Sequence, residues 1–184
     1  MLCSYGSIFS QGQANNWYFG YGAGLNFSTG NPQALTDGSL YTLEGCASIS
    51  NENGSLLFYT DGITVYRADH SIMENGNGLL GNPSSTQSAL IIPQPDTPGI
   101  YYIFTVDTST SANDTNDGIN YSIVDFTVNE EGVVRNKNTR LLNFAAEKLS
   151  AVIKSCTDTS VWLVTLSSDS GNAGFINTLY AFQL

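Results

Sequence analysis

Hydrophobic residues occur along this chain in short runs, and each run is bounded by residues that favour turns. Three segments share one order of features once gaps are allowed, and they cover residues 46–69, 88–129 and 149–184. Each opens with a short run of small and apolar residues, passes through a polar turn, and continues with a strongly apolar run. A third strand with an aromatic residue follows. This order predicts a repeated antiparallel sheet.

The strongly apolar run is the most informative part of the repeat. It reads Leu-Leu-Phe-Tyr, Tyr-Tyr-Ile-Phe and Val-Trp-Leu-Val in the three segments. A strand that is buried on both faces is rich in aliphatic and aromatic residues over its whole length. We therefore expect the second strand of each repeat to lie between neighbouring sheets, with Phe58, Ile103 and Leu163 in corresponding positions. The pairs Asn53-Gly54 and Asp61-Gly62 predict tight turns with positive φ.

The length of the repeat favours an all-β fold of the β-propeller type. Ala47 and Ala89 are 42 residues apart and Ala89 and Ala151 are 62 apart, whereas a propeller blade takes about 40–50 residues. The polar, low-complexity residues 108–118 predict an exposed loop that lengthens the second repeat, and a fourth strand is expected at 133–142. A β-sandwich would show alternation without a sheet-sized repeat, and a β-helix would have a shorter period.

The fold class that we predict is therefore all-β, with about three antiparallel blades of a partial propeller. Three blades do not close a ring, because propellers typically have about four to eight. Either the natural protein continues beyond Leu184, or the chain pairs with a second copy, or it uses another architecture. No segment has helical periodicity over three turns, and residues 144–148 could form one turn at most.

The first fourteen residues differ from the rest of the chain. Residues 1–14 are uncharged and moderately apolar and end in small or polar residues, which predicts the remnant of a signal peptide or leader. An ordinary first strand is the alternative. With the leader set apart, the repeat domain covers residues 15–184.

Composition limits the partners of the domain. Charged residues make up only 12% of the 184 residues, and the formal net charge is −10. This balance argues against nucleic acid and against an anionic membrane surface, since both require clustered Lys and Arg. No stretch approaches the length of a membrane span. Of the three cysteines, Cys46 and Cys156 could pair or stay as buried small hydrophobes, and we expect the second.

From residue 15 onward, nearly the whole chain resembles the amino-terminal, propeller-like region of large bacterial surface proteins that use the type IX secretion system. These proteins are described as gliding-motility-associated or type B sorting-domain proteins. The resemblance rests on shared motifs, which are Trp-Tyr-Phe-Gly at 17–20, Glu-Gly-Cys-Ala-Ser-Ile-Ser at 44–50, Leu-Phe-Tyr-Thr-Asp-Gly at 57–62, Ser-Ser-Thr-Gln-Ser-Ala at 84–89, Glu-Lys-Leu-Ser-Ala-Val at 147–152 and Val-Trp-Leu-Val-Thr at 161–165. It implies export to the cell surface or the medium, and it supplies no catalytic residues.

Four residues are candidates for a ligand site. Glu44 precedes a first strand and could face a central channel, and Asp61 and Asp107 follow the second strands of two repeats. Trp17 belongs to the densest aromatic cluster and could stack on a sugar or contact a protein. For the aspartates the alternative is turn capping, and for the tryptophan it is core packing between blades.

The sequence offers no recognisable catalytic or cofactor motif. The single histidine, His70, has no Gly-x-Ser-x-Gly elbow to accompany it, and we expect it to be a solvated turn residue. The acidic segment 113–118 lacks the glutamate of an EF-hand, because Val124 stands at that position. We therefore expect no catalytic residue, no metal and no cofactor.

The function that we expect is a non-catalytic, exported scaffold or adhesion module that binds protein or glycan. Two alternatives remain. One is a carbohydrate-active enzyme domain with acidic residues at the channel, since paired carboxylates such as Asp61 and Asp107 could act as acid and base. The other is a structural repeat that associates with a second copy of itself.

Overall fold

The computed structural model describes residues 12–108, 117–144, 146–155, 158–168 and 175–184. Within these ranges the chain forms fourteen β-strands and a single turn of 3-10 helix, Gly12–Ala14. The all-β prediction is therefore confirmed. Most of the predicted leader, most of the loop at 108–118, Cys3 and Cys156 lie outside the described residues.

The strands form four consecutive units in which neighbours along the chain pair antiparallel. Unit 1 contains β1 (Asn16–Phe19), β2 (Ala23–Asn26) and β3 (Gln33–Leu35). Unit 2 contains β4 (Ala47–Ser50), β5 (Leu56–Thr60), β6 (Thr64–Arg67) and β7 (Ile72–Asn77). Unit 3 contains β8 (Ala89–Pro93), β9 (Ile100–Val106), β10 (Ile119–Asp125) and β11 (Val133–Leu142). Unit 4 contains β12 (Leu149–Ser155), β13 (Asp158–Ser167) and β14 (Thr178–Gln183).

Units 2, 3 and 4 correspond to the three predicted repeats, and β11 has the predicted bounds. Unit 1 was not predicted as a repeat unit, because its strands are only three or four residues long and its one aromatic run, Trp-Tyr-Phe, lies in the first strand and not in the second. The tight turns are confirmed, with φ of 85° at Gly54 and 88° at Gly62.

The sequence predicted separate sheets, and the structure differs at one place. The outermost strands of units 2 and 3 meet in a parallel bridge between Glu74 and Val133. The two units therefore form one mixed sheet of eight strands, in the order β4-β5-β6-β7-β11-β10-β9-β8. Asn75 strengthens this junction, because its side-chain amide donates to the Val134 carbonyl at 2.8 Å. Units 1 and 4 are three-stranded sheets of their own.

Three hydrophobic clusters hold the units together in chain order. Cluster A joins units 2 and 3 through Ile49, Phe58, Val65, Met73, Leu79, Ala89, Ile103, Val124 and Val134. Cluster B joins units 3 and 4 through Ile92, Phe104, Val106, Ile119, Leu149 and Leu163. Cluster C joins units 1 and 2 through Tyr18, Leu40 and Tyr59. Burial of one such side chain contributes roughly 1.5–3 kcal/mol.

The second strands β5 and β9 lie between neighbouring units, as the sequence predicted, whereas β13 has a neighbour only on its unit 3 side among the described residues. The predicted alignment of the three strands also needs a correction of one residue. Phe58, Ile103 and Leu163 are all fully buried. However, Phe58 packs towards unit 3, whereas Ile103 packs back towards unit 2 and Leu163 back towards unit 3. Since successive side chains on a strand point to opposite faces, the counterpart of Phe58 in unit 3 is Phe104.

Candidate functional site

The first strands of the four units lie side by side, with β4 between β1 and β8, and β12 beyond β8. Together they line a cavity of about 1300 Å³. Each of these four strands is the first strand of its unit and forms an edge of its sheet. The cavity is therefore lined by the same structural element from every unit. Pockets for small ligands commonly enclose about 300–1,000 Å³, so this cavity has room for an extended ligand.

The lining of the cavity is apolar with a few amide and hydroxyl groups. The polar contributors are Gln13, Ser48, Gln87, Gln94, Asp96, Ser150 and Thr159. Asp96 is the one carboxylate among the described residues that line it, and none of those residues is Lys or Arg. The cavity therefore suits a ligand without strong charge.

Several of the polar groups already have structural partners, and one side-chain oxygen has none among the described residues. The Ser48 hydroxyl donates to the Asn16 carbonyl at 2.8 Å. Asp96 accepts a hydrogen bond of 2.6 Å from the Thr159 hydroxyl, and the Gln87 side-chain oxygen accepts one of 2.9 Å from the Leu149 N–H. Both bonds join unit 3 to unit 4. The side-chain oxygen of Gln13 is buried and has no hydrogen-bond partner among the residues that the structure describes. A buried acceptor of this kind is satisfied when water or a ligand donates to it.

Trp17 is the one candidate from the sequence that lines the cavity. Its side chain is about half exposed, at 49%. The indole N–H donates to the Ala14 carbonyl at 2.9 Å, and the ring centroid lies 5.0 Å from that of Phe27. The ring is thus held in place at the edge of the cavity.

Asp61 and Asp107 act as turn acceptors. One oxygen of Asp61 accepts from the N–H groups of Ile63 and Thr64, at 2.8 and 2.7 Å. The carboxylate of Asp107 accepts from the N–H groups of Thr108 and Asp117, both at 2.7 Å. These bonds close the loops that follow the second strands, which is the turn-capping role weighed from the sequence.

Glu44 is exposed and lies outside the cavity lining, where its backbone N–H donates to the Pro83 carbonyl. No hydrogen bond joins any two of Glu44, Asp61, Asp107 and Trp17, so the structure does not bring the candidates into one site. The sequence did not single out Gln94 or Asp96, which immediately follow β8. The repeat itself could have identified Gln94 and Asp96, because the corresponding first strands of the units all line one cavity.

A second group of polar and aromatic residues lies between units 1 and 2. The Tyr59 hydroxyl is 3.0 Å from His70 Nδ1, and the other ring nitrogen of His70 is 3.4 Å from Asp37. Asp37 also accepts a hydrogen bond of 3.1 Å from the Tyr18 hydroxyl. Burial, with the carboxylate of Asp37, raises the pKa of Tyr18. His70 does lie in the turn between β6 and β7, as the sequence predicted, but its ring is 22% exposed and contacts Tyr59 and Asp37, so it is a structural link and is not freely solvated.

Cys46 lies beside this group and lines the cavity. Its thiol is free and donates to the Tyr18 carbonyl at 3.3 Å. Burial, with the negative charge of Asp61, raises the pKa of the thiol. A thiol with a raised pKa is a poor nucleophile at neutral pH, so Cys46 has a packing role here.

Within the described ranges, no group of three or more His, Cys, Asp or Glu residues is placed to hold a metal ion. No helix in the described part of the chain has the length and hydrophobicity needed to cross a membrane. No protein-family model, no curated protein and no solved structure matches the chain.

Proposed function

We propose that this chain is a propeller-type segment of an exported surface protein, and that it binds an uncharged glycan in the cavity between its first strands without catalysing a reaction. The observation that carries the proposal is the meeting of β1, β4, β8 and β12 around one cavity. In a propeller the first strands of successive blades surround the central channel, where ligands commonly bind. The motifs shared with type IX-secreted surface proteins support export.

The chemistry of the lining favours a glycan. Sugars present hydroxyl groups to amide and hydroxyl side chains, and they present apolar ring faces to aromatic residues. Gln94 and Ser48 supply the first kind of contact and Trp17 supplies the second. The net charge of −10 disfavours polyanions, which leaves neutral polysaccharides as the matching class.

The hydrogen bonds of the acidic residues support a non-catalytic role. A glycosidase needs two carboxyl groups that face each other across the scissile bond, about 5–9.5 Å apart. The described residues that line the cavity include a single carboxylate, Asp96. Asp61 and Asp107 direct their oxygens to backbone N–H groups of their own loops.

Calorimetry with neutral oligosaccharides chosen from a glycan array tests the proposal. We expect Trp17→Ala and Gln94→Ala each to weaken binding about tenfold or more, because each removes a direct contact worth roughly 1.4 kcal/mol or more. Tyr41→Ala is the matched control, since Tyr41 is an exposed aromatic residue outside the cavity. It should leave the affinity unchanged.

Two results would contradict the proposal. One is the absence of binding to any neutral glycan, and the other is binding that Trp17→Ala and Gln94→Ala leave intact. Release of reducing ends by the wild type, if lost in Asp96→Asn, would contradict the non-catalytic part and favour an enzyme.

A further inference from the structure

Part of the cavity is a cleft between units 3 and 4 with aliphatic walls. Ile92 of β8 belongs to cluster B and Leu90 packs against it, so both face unit 4. On β12, Ile153 lies on the same face as Leu149, another member of cluster B, because alternate residues of a strand share a face. Ile153 is 68% exposed and lines the cavity, so a ligand can contact it.

One end of this cleft also carries an amide group. Gln94 follows Ile92 by two residues and lines the cavity. Its backbone N–H donates to the Ile100 carbonyl at 2.9 Å, and its carbonyl accepts from the Thr97 N–H at 3.3 Å. Neither bond uses the side-chain amide, which is therefore available to a ligand.

A hydrogen bond and a strand pair hold the amide and the aliphatic wall near each other. Asp96, two residues beyond Gln94, accepts a hydrogen bond of 2.6 Å from the Thr159 hydroxyl. Thr159 lies two residues before Val161 on β13, and Val161 pairs with Ile153. The same end of the cleft thus offers an amide, from β8, and an aliphatic surface, from β12 and β13.

An unsubstituted hexose matches this end of the cleft poorly. Its ring carries hydroxyl groups at most positions, and each hydroxyl that loses water needs a hydrogen-bond partner. Its apolar ring face suits an aromatic side chain, but the described aromatic residues that line the cavity, Trp17, Tyr18 and Phe19, all lie on β1. An aliphatic wall beside an amide suits a methyl group attached to a second amide.

We propose that the glycan contains N-acetylated amino sugars, and that this end of the cleft recognises their acetamido group. The inference rests on the glycan site proposed above and names its ligand class. The acetamido N–H and C=O match the side-chain amide of Gln94, which supplies an acceptor and two donors. The acetamido methyl group packs against Ile153 and Val161. The group carries no charge, which agrees with a described lining that contains no Lys or Arg.

Calorimetry with two matched oligosaccharides tests the inference. Chitotetraose and cellotetraose have the same β-1,4-linked backbone, and they differ in that chitotetraose has an acetamido group in place of the 2-hydroxyl of each ring. We expect chitotetraose to bind about tenfold or more tightly than cellotetraose, because one methyl-sized group in an apolar pocket supplies a factor of about 10 or more.

Ile153→Thr tests whether the aliphatic wall recognises the acetamido group. Threonine is β-branched like isoleucine, so it suits the strand, but it places a hydroxyl group against the ligand's methyl group. We expect the preference to fall to about threefold or less, through weaker binding of chitotetraose and an unchanged affinity for cellotetraose. Leu43→Thr is the matched control, since Leu43 is an exposed aliphatic residue outside the cavity, and it should keep the wild-type preference.

The outcomes distinguish this inference from the proposal of a glycan site. Equal affinity for the two oligosaccharides, or tighter binding of cellotetraose, would overturn the acetamido inference and leave a neutral-glycan site in place. So would an unchanged preference in Ile153→Thr that circular dichroism shows to be folded, or binding of other neutral glycans without chitotetraose. A protein that binds no neutral glycan contradicts both proposals. The wild-type comparison decides the inference by itself if the variant does not fold.

Discussion

Single side chains on the second strands connect neighbouring units. Phe58 projects from β5 into cluster A, where it meets residues of unit 3 that include Ile103. Its ring lies 5.5 Å from that of Tyr101 in a T-shaped arrangement. Leu163 belongs to cluster B and therefore to a different contact between units. The connection between units 2 and 3 is thus separate from the connection between units 3 and 4.

Double-mutant cycles test this separation. Phe58→Leu and Ile103→Val should couple by about 0.5 kcal/mol or more in the free energy of unfolding, because both residues contribute to cluster A. Phe58→Leu and Leu163→Val should be additive within about 0.5 kcal/mol. Urea unfolding of the single and double variants provides the measurement. Equal coupling in both cycles would show that the clusters are not separate.

Carboxylates at the strand ends illustrate how acidic residues are used in this chain. The carboxylate of Asp125 accepts hydrogen bonds from the hydroxyl and N–H groups of Thr127, at 2.6 and 2.8 Å. These bonds, with the nearby Arg135 guanidinium, hold the pKa of Asp125 below its usual value. Asp61 and Asp107 accept bonds in the same way. The acidic residues at these strand ends therefore shape turns.

At the scale of elements, unit 1 is attached to unit 2 by a buried amide. The Asn16 side chain donates to the Ser50 hydroxyl at 3.0 Å and to the Gly54 carbonyl at 2.8 Å. Its oxygen accepts a bond of 2.6 Å from Asn26. One residue on β1 thus connects the β4–β5 turn of unit 2 with β2 of unit 1.

Asn16→Ala should lower the free energy of unfolding by about 1–3 kcal/mol, because it leaves buried polar groups without partners. Thermal and urea unfolding measure the loss. Asn31→Ala is the control, since Asn31 is exposed, and its change should stay within about 0.5 kcal/mol. If both substitutions had the same small effect, the amide would not connect the two units.

Much of the element order could be predicted from the sequence, and the reasons are physical. The continuous apolar runs at 101–104 and 161–164 predicted the second strands of units 3 and 4, and Gly54 and Gly62 predicted the turns. Burial on both faces holds for β9, which packs on units 2 and 4, whereas only the Leu163 face of β13 belongs to a core cluster. The parallel bridge between Glu74 and Val133 could not be predicted, because a single bridge leaves no periodic pattern. Unit 1 could not be predicted as a repeat unit because its strands are only three or four residues long and its one aromatic run, in β1, belongs to the first strand and not to the second.

The candidate site was harder to predict than the fold. Glu44 was chosen because it precedes a first strand, but it is exposed outside the cavity. The cavity instead uses Gln94 and Asp96, which follow a first strand. Which end of a strand reaches the cavity depends on how the units stack, and the composition of one repeat does not contain that information.

At the scale of the whole molecule, the arrangement of units forms the cavity in which we propose that a ligand binds. The four units pack in chain order, with their first strands next to one another. The last strands of the units therefore lie away from the cavity. The low content of charged residues, 12%, leaves amides, hydroxyls and aromatic rings as the groups available for recognition. The proposed ligand site is therefore a product of the stacking.

Methyl-to-methyl nuclear Overhauser spectroscopy on isotope-labelled protein tests the stacking most directly. We expect cross-peaks that connect Ile49 or Val65 of unit 2 with Ile103 or Val124 of unit 3, through cluster A. We also expect cross-peaks between unit 3 and Leu149 or Leu163 of unit 4, through cluster B. Methyl groups of unit 2 should show none to Leu163. Cross-peaks that join Ile49 directly to Leu163, with none from Ile49 or Val65 to unit 3, would contradict the order of units on which the cavity depends.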